Sequence, residues 1–236
     1  MAITSHTTCR VCPSEVPLDP VLDLGSIMPS TFLHPREPDP YPVPLRLARC
    51  PVCTLVQLRE TVSAADLYTE YWYRSGVNEA MVEELHDVVD DAVARVGALH
   101  YGDLVVDVGA NDGTLLARYR DHDRAVVRIA YEPAINLHEA LRPRCEVLYP
   151  QCFPPTTWTD LRGMLGRVKV LTTVAMFYDL DDPHAFVHAA AALLHPQGLW
   201  VIQFQDLDQM LKAHAFDNIC HEHIEYYTLR SLQDVL

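Results

Sequence analysis

A chain of 236 residues is long enough to bury one large core or two smaller ones. Its formal charge of −14 argues against gripping nucleic acid through phosphates, and it has none of the long apolar runs that mark a membrane-spanning helix. The opening MAITSHTTC lacks the basic start and apolar stretch of a secretion signal, so the expected compartment is the cytoplasm, where paired cysteines bind metal rather than form disulfides.

Ten of the 17 prolines fall within the first 53 residues, at 13, 17, 20, 29, 35, 38, 40, 42, 44 and 51. They predict a segment with no long helix, few central strands and little core of its own. A metal can supply the missing folding energy. CRVC (Cys9, Cys12) and CPVC (Cys50, Cys53) are two CxxC turns separated by 37 residues, and four thiolates brought together this way bind one tetrahedral zinc. Such a closed site is structural, since it leaves no position open for water. Four unrelated buried cysteines are the plainer alternative.

DLYTEYWYRSG follows, then a helical pattern in which Val77, Met81, Leu85, Val88, Ala92 and Val96 recur at three- and four-residue spacing. These features predict a zinc-binding domain at 1–60, a helical linker or lid at 61–100 and a third region at 101–236. There, strand-like LVVDVG, VVRIAYE, VKVLTTVAM and GLWVIQF alternate with helix-like TLLARYRD, INLHEALR and PHAFVHAAAALL, which predicts an α/β fold with a parallel sheet covered on both faces.

The first of these strands runs into a glycine-hinged turn, DVGANDG, and then a helix. Gly109 and Gly113 allow close backbone approach to a ligand, but the turn is not GxGxxG. Asp107 and Asp112 would face the pyrophosphate of a dinucleotide. A phosphate-free cofactor with a positive centre fits better, and S-adenosylmethionine is one. Glu132, in AYEP, ends the second strand 25 residues after Asp107, where an acid accepts ribose hydroxyls. A nucleotide-free doubly wound domain with an ordinary acidic loop is the plainer alternative.

The two CxxC pairs, YWYRSG, DVGANDG, YEP and the closing FDNICHEHIEYY, in that order from Cys9 to Tyr227, resemble the sugar C-methyltransferases. That family methylates a ring carbon beside the keto group of a nucleotide-linked 4-keto deoxysugar. The resemblance implies a small zinc domain ahead of a class I S-adenosylmethionine methyltransferase domain, a Rossmann-like doubly wound sheet. It also implies a further C-terminal α/β domain that this sequence lacks. The cofactor would be held by Tyr71, Ser75, Asp107, Gly109, Asn111, Asp112, Gly113, Glu132, Pro133 and Phe153. His223 matches the family's general base, with Glu222 and Tyr73 assisting. Some relatives carry tyrosine in place of Cys220 and histidine where this sequence has Tyr178 and Asp179.

A base has a clear task in such chemistry. A carbon next to a ketone becomes nucleophilic only on losing a proton, and imidazole accepts one near neutral pH. Cys220, His221 and His223 do not all face one way on a strand or helix, so a metal there is disfavoured, and His221 and Cys220 read as local structural residues. Cys145 and Cys152 read as core. The expected partner is a small molecule, a nucleotide sugar in deoxysugar biosynthesis of a secondary metabolite or surface glycan, with no nucleic acid and no membrane. Two rivals stand beside this reading: methylation of an oxygen, nitrogen or non-sugar carbon, and a non-catalytic module that binds zinc and cofactor.

Overall fold

Prolines do not keep the opening segment out of β-structure. The computed structural model describes residues 2–29 and 41–236. In it, β1 (Ile3–Ser5), β2 (Asp19–Ile27), β3 (Val43–Arg49), β4 (Val56–Leu58) and β5 (Glu60–Val62) precede the short helix α1 (Ala64–Tyr68). The described part of the segment has no long helix, as the ten prolines lead one to expect, but it does form strands; Pro35, Pro38 and Pro40 lie outside the described residues. Pro20 and Pro44 occupy positions a sheet tolerates. Pro20 is on β2, an exposed edge strand, and Pro44 is in the part of β3 that has a registered partner only on the β2 side.

The second stretch of chain builds a unit of its own, Thr69–Met176 with His188–Gln203. Its elements are α2 (Glu79–Val96), β6 (Leu104–Val108), α3 (Thr114–His122), β7 (Val127–Tyr131), the single turn α4 (His138–Leu141), β8 (Val147–Tyr149), β9 (Val168–Val174), most of α5 (Pro183–Leu193), and β10 (Leu194–Gln203). The five strands are all parallel in the order β10-β9-β6-β7-β8. The chain therefore leaves β6 toward β7 on one side and later returns to β9 on the other. A parallel sheet opens a ligand crevice at such a reversal, beyond the carboxyl ends of the strands.

Two local expectations need correction. Val77 does not belong to the helical stripe: α2 begins after Asn78, whose side chain caps Ala80 and Met81, and Val77 is 77% exposed. The buried residues of α2 are Leu85, Val89 and Ala92, which pack on Val105, Leu116 and Val170. The segment INLHEALR is a succession of short turns, since Pro143 ends α4 within one turn.

After β10 the chain rejoins the first unit, which comprises Met1–Tyr68, Phe177–Val187 and Phe204–Leu236. It adds α6 (Leu207–Ala213), β11 (Glu225–Tyr226) and α7 (Leu229–Gln233). β11 pairs antiparallel with β4 and completes a four-stranded sheet β11-β4-β3-β2. Leu45, Leu47 and Leu58 of the opening strands gain a core by packing with Met210, Ile224 and Tyr226. Packing thus divides the chain differently from the sequential boundaries expected at 60 and 100.

Candidate functional site

The turn after β6 is fixed by its own hydrogen bonds. Gly109 takes φ +73°, Asn111 +52° and Gly113 +80°, so the chain bends back on itself at three left-handed residues. A side chain at Gly113 would meet Leu141 at 2.7 Å. Gly109 and Ala110 both donate to the Tyr131 carbonyl, at 2.9 and 3.2 Å, which ties the turn to the end of β7. Asn111 donates its N–H to Glu132 Oε2 at 2.7 Å, and Ala134 donates to Glu132 Oε1 at 2.8 Å. Each carboxylate oxygen keeps further lone pairs for a hydroxylated ligand.

YWYRSG lies against this turn. Asn111 Nδ2 donates to the Tyr73 carbonyl at 3.1 Å, and the Ser75 N–H donates to Asn111 Oδ1 at 2.9 Å. Tyr71 is held through its backbone by the side chain of Asn136, at 2.8 and 2.9 Å. The Tyr73 hydroxyl is buried with no hydrogen-bond partner among the described residues, and burial followed by nearby Asp112 pushes its pKa up. Asp112 is engaged within the turn. It accepts from Gly76 N at 2.9 Å, from Thr114 N at 3.1 Å and Thr114 Oγ1 at 2.7 Å, and pairs with Arg144 at 3.4 Å. The two aspartates of DVGANDG therefore differ in environment.

Asp107 lies 3% exposed at the end of β6 and accepts from Thr172 Oγ1 at 2.6 Å. Burial, against that hydrogen bond and with help from Glu132, raises its pKa to about 7. Burial likewise raises Glu132. Pro133 is half-buried beside it. Phe153 is buried edge-on against Tyr131 at 5.0 Å, and Tyr131 stacks on Tyr149 at 4.7 Å. Thr172 and Asn136 escaped the sequence reading. Thr172 stands in register with Asp107, a pairing visible only once β9 is placed beside β6.

In the first unit the four cysteines converge. The sulfurs of Cys9, Cys12, Cys50 and Cys53 all lie within 4.8 Å of one another. Val11 and Cys12 donate backbone N–H groups to Cys9 Sγ, and Val52 and Cys53 donate to Cys50 Sγ, all at 3.4 or 3.5 Å. Burial opposes ionisation of Cys50, but these amides and the neighbouring thiols bring it down to about 7. Amide donors aimed at sulfur and a tetrad of this size suit thiolates on a metal. Among the described residues no other group of three or more His, Cys, Asp or Glu side chains is so arranged. Cys152 is exposed, contrary to its reading as core.

The CHEH run occupies the loop before β11. His221 Nε2 meets the Val43 carbonyl at 3.1 Å and is 2% exposed, an anchor to β3. His223 Nδ1 is 2.9 Å from the Asn218 carbonyl. A carbonyl only accepts, so Nδ1 carries the proton and the neutral ring keeps its lone pair at Nε2. Tyr178 packs edge-on against the ring at 4.6 Å and takes the Ile224 N–H on its carbonyl at 3.0 Å. Burial lowers the pKa of His223, opposed by Asn218 and Glu222, so the ring is neutral at pH 7. Glu222 is buried, with its carbonyl accepting from Tyr68 at 3.2 Å. Cys220 is pushed up to about 12 by burial and by Glu222.

Comparison with known proteins assigns families to the two parts of the chain. A methyltransferase-domain family matches residues 81–236, and a zinc-binding-domain family matches 9–68. The chain belongs to the methyltransferase-domain family. It is 31% identical over 227 residues to the C-methyltransferase NovU of Streptomyces niveus, covering 95% of this chain and 53% of that protein. The chain thus spans about half the length of that relative. Two solved structures share the fold. The plantazolicin methyltransferase BpumL in complex with SAH superposes with TM-score 0.55 at 8% identity, over 67% of this chain and 63% of its own. BamL in complex with a triazolic desmethylPZN analog and SAH gives 0.51 at 12%, over 67% and 62%. The parallel sheet is accordingly that of the class I methyltransferases. No helix among the described residues is long and apolar enough to cross a membrane.

Proposed function

We propose that the chain is the donor-binding and proton-abstracting part of an S-adenosylmethionine-dependent C-methyltransferase acting on a nucleotide-linked keto-deoxysugar, with a structural zinc on Cys9, Cys12, Cys50 and Cys53. The observation that carries this reading is the fixed tautomer of His223: a neutral imidazole whose Nε2 lone pair is left free is a base, and C-methylation beside a ketone needs one. The name of NovU, a C-methyltransferase at 31% identity, supports it.

When bound, S-adenosylmethionine supplies an electrophilic methyl group on a positively charged sulfur. The residues of the turn fit such a ligand. Glu132 offers acceptors for a ribose diol, and Gly109 lacks a side chain where the backbone must come close. Buried Asp107 provides the negative charge that a cationic ligand offsets. Asn111 and Ser75 hold the turn and the YWYRSG segment together, with Tyr71 and Pro133 at its edges and Phe153 as an apolar wall. On the substrate side, His223 Nε2 takes the proton from the carbon beside the ketone, leaving an enolate. In the second unit, the unpaired Tyr73 hydroxyl is a donor available to an oxygen that gains negative charge. Glu222 steadies the imidazolium.

Exchange of substrate hydrogen with deuterated water tests this reading. With nucleotide-linked 4-keto-6-deoxyhexoses as probes, exchange without donor that disappears in His223→Gln supports it. Methyl transfer with no exchange would assign the chain to O- or N-methylation instead, and donor binding without transfer would make it a binding module.

A further inference from the structure

The first cysteine pair carries more than thiolates. Between them stands Arg10, whose backbone N–H goes to Gln57 Oε1 at 3.1 Å and whose Nη1 donates to the Leu58 carbonyl at 2.9 Å. Gln57 donates back to the Thr8 carbonyl at 3.2 Å. The same two residues of β4 hold the strand that follows the candidate base. Leu58 N donates to the Ile224 carbonyl at 2.8 Å, and Gln57 stands in register with Glu225.

The knuckle also touches the start of α5. His184 Nε2 meets the Val11 carbonyl, and His184 lies in the first turn of α5, soon after Tyr178. Tyr178 contacts the His223 ring and bonds to Ile224. One support of His223, the strand that follows it, is therefore fastened through β4 to Arg10, while the Asn218 carbonyl holds Nδ1 directly. Arg10 is half-buried, and its Nε and Nη2 are buried with no hydrogen bond among the described residues. A buried guanidinium is costly unless charge compensates it; Glu225, 1% exposed, attracts it, but burial raises the pKa of Glu225 well above the usual carboxylate range and weakens that attraction.

We propose that Arg10 is a positioning residue for His223: it locks the metal knuckle to β4, and β4 in turn fixes the main chain of Ile224 and Glu225, so that a filled knuckle holds the ring where its Nδ1 meets the Asn218 carbonyl and keeps its working tautomer. The proposal rests on the reading of His223 as the base. It differs from a merely structural role for the metal, because it names one side chain through which the knuckle reaches the imidazole.

The test uses the zinc-loaded chain with ¹⁵N-labelled histidine and the variants Arg10→Met and Arg10→Lys. Arg10→Met is expected to keep its zinc and its S-adenosylmethionine affinity, measured by metal analysis and calorimetry. Its His223 nitrogen shifts should move from a single Nδ1-protonated form to a mixture of tautomers. Substrate exchange should fall on the order of a hundredfold, the loss that slight misplacement of a reacting group brings. Arg10→Lys, which can still reach one carbonyl, should recover part of both. A zinc-replete Arg10→Met with unchanged His223 shifts overturns the proposal. Should that variant fail to load zinc, Gln57→Leu decides, since it leaves guanidinium and thiols in place: the same mixture of tautomers supports the tether and unchanged shifts overturn it. The nitrogen shifts need no substrate, so they judge the tether even if His223 proves not to be the base.

Discussion

The two units hold their candidate functional groups by contrasting means. In the second unit, the turn after β6 is fixed by Asp112 and Thr114 within it, by Glu132 21 residues beyond Asn111, and by the YWYRSG segment 36 and 38 residues before it. In the first, His223 is held by Asn218 nearby but also by partners far away in sequence, and its strand pairs with β4 across more than half the chain. Local hydrogen bonds keep a group in place while the rest of a unit loosens. Long-range support fails with whatever anchors it. The contrast predicts which lesions spread and which stay confined.

Cys50→Ser should have the largest effect. Loss of a structural zinc removes roughly 10 kcal/mol or more of binding free energy that folding relies on. Amide hydrogen exchange should rise across β3, β4 and β11, while β6, β7 and β9 stay protected and S-adenosylmethionine still binds. Equal loss of protection in both units would dissolve the contrast. His223→Gln comes next: substrate hydrogen exchange should drop by about 10²–10⁴ with donor affinity unchanged in calorimetry, the range typical of losing a general base.

Gly113→Ala probes the turn itself. With φ at +80° and Leu141 2.7 Å from the added carbon, it should cost roughly 1–3 kcal/mol, read as a lower melting temperature together with weaker donor binding. A further prediction concerns Asp107. Its folded-state pKa, raised to about 7 from 3.8, means the folded chain holds a proton that the unfolded chain has released between those values. This group's contribution to stability is therefore greatest below about pH 4 and is lost as pH rises toward 7. Affinity for the cationic donor should move the other way, strengthening as Asp107 ionises. Asp107→Asn should flatten both profiles in melts and titrations across this range.

The same contrast explains what could be read from the residues alone. LVVDVGANDG announces a buried strand, a hinged turn and a helix because apolar run, glycines and helix start are adjacent. The CxxC turns are equally local. Val77 was misassigned because apolar spacing continues past the true helix start, while Asn78 carries the cap. β11 is two residues long and exists only because β4 is there to pair with it, so no periodicity could announce it. The same holds for the core of the opening strands, whose partners Met210, Ile224 and Tyr226 lie near the other end of the sequence. The role of Arg10 depends on a β4 carbonyl 48 residues away and is not legible in CRVC itself.

That closing strand has a consequence for how the protein is made. A ribosome delivers β3 and β4 early, yet their apolar faces stay uncovered until residues past 204 have emerged. A metal captured by the two cysteine turns can gather those strands in the interval, but cannot finish their sheet. The parallel-sheet unit, synthesised between the two halves, has to form while its neighbour is still waiting. Such late closure exposes strand edges to aggregation during synthesis, and zinc supply during translation becomes a determinant of yield.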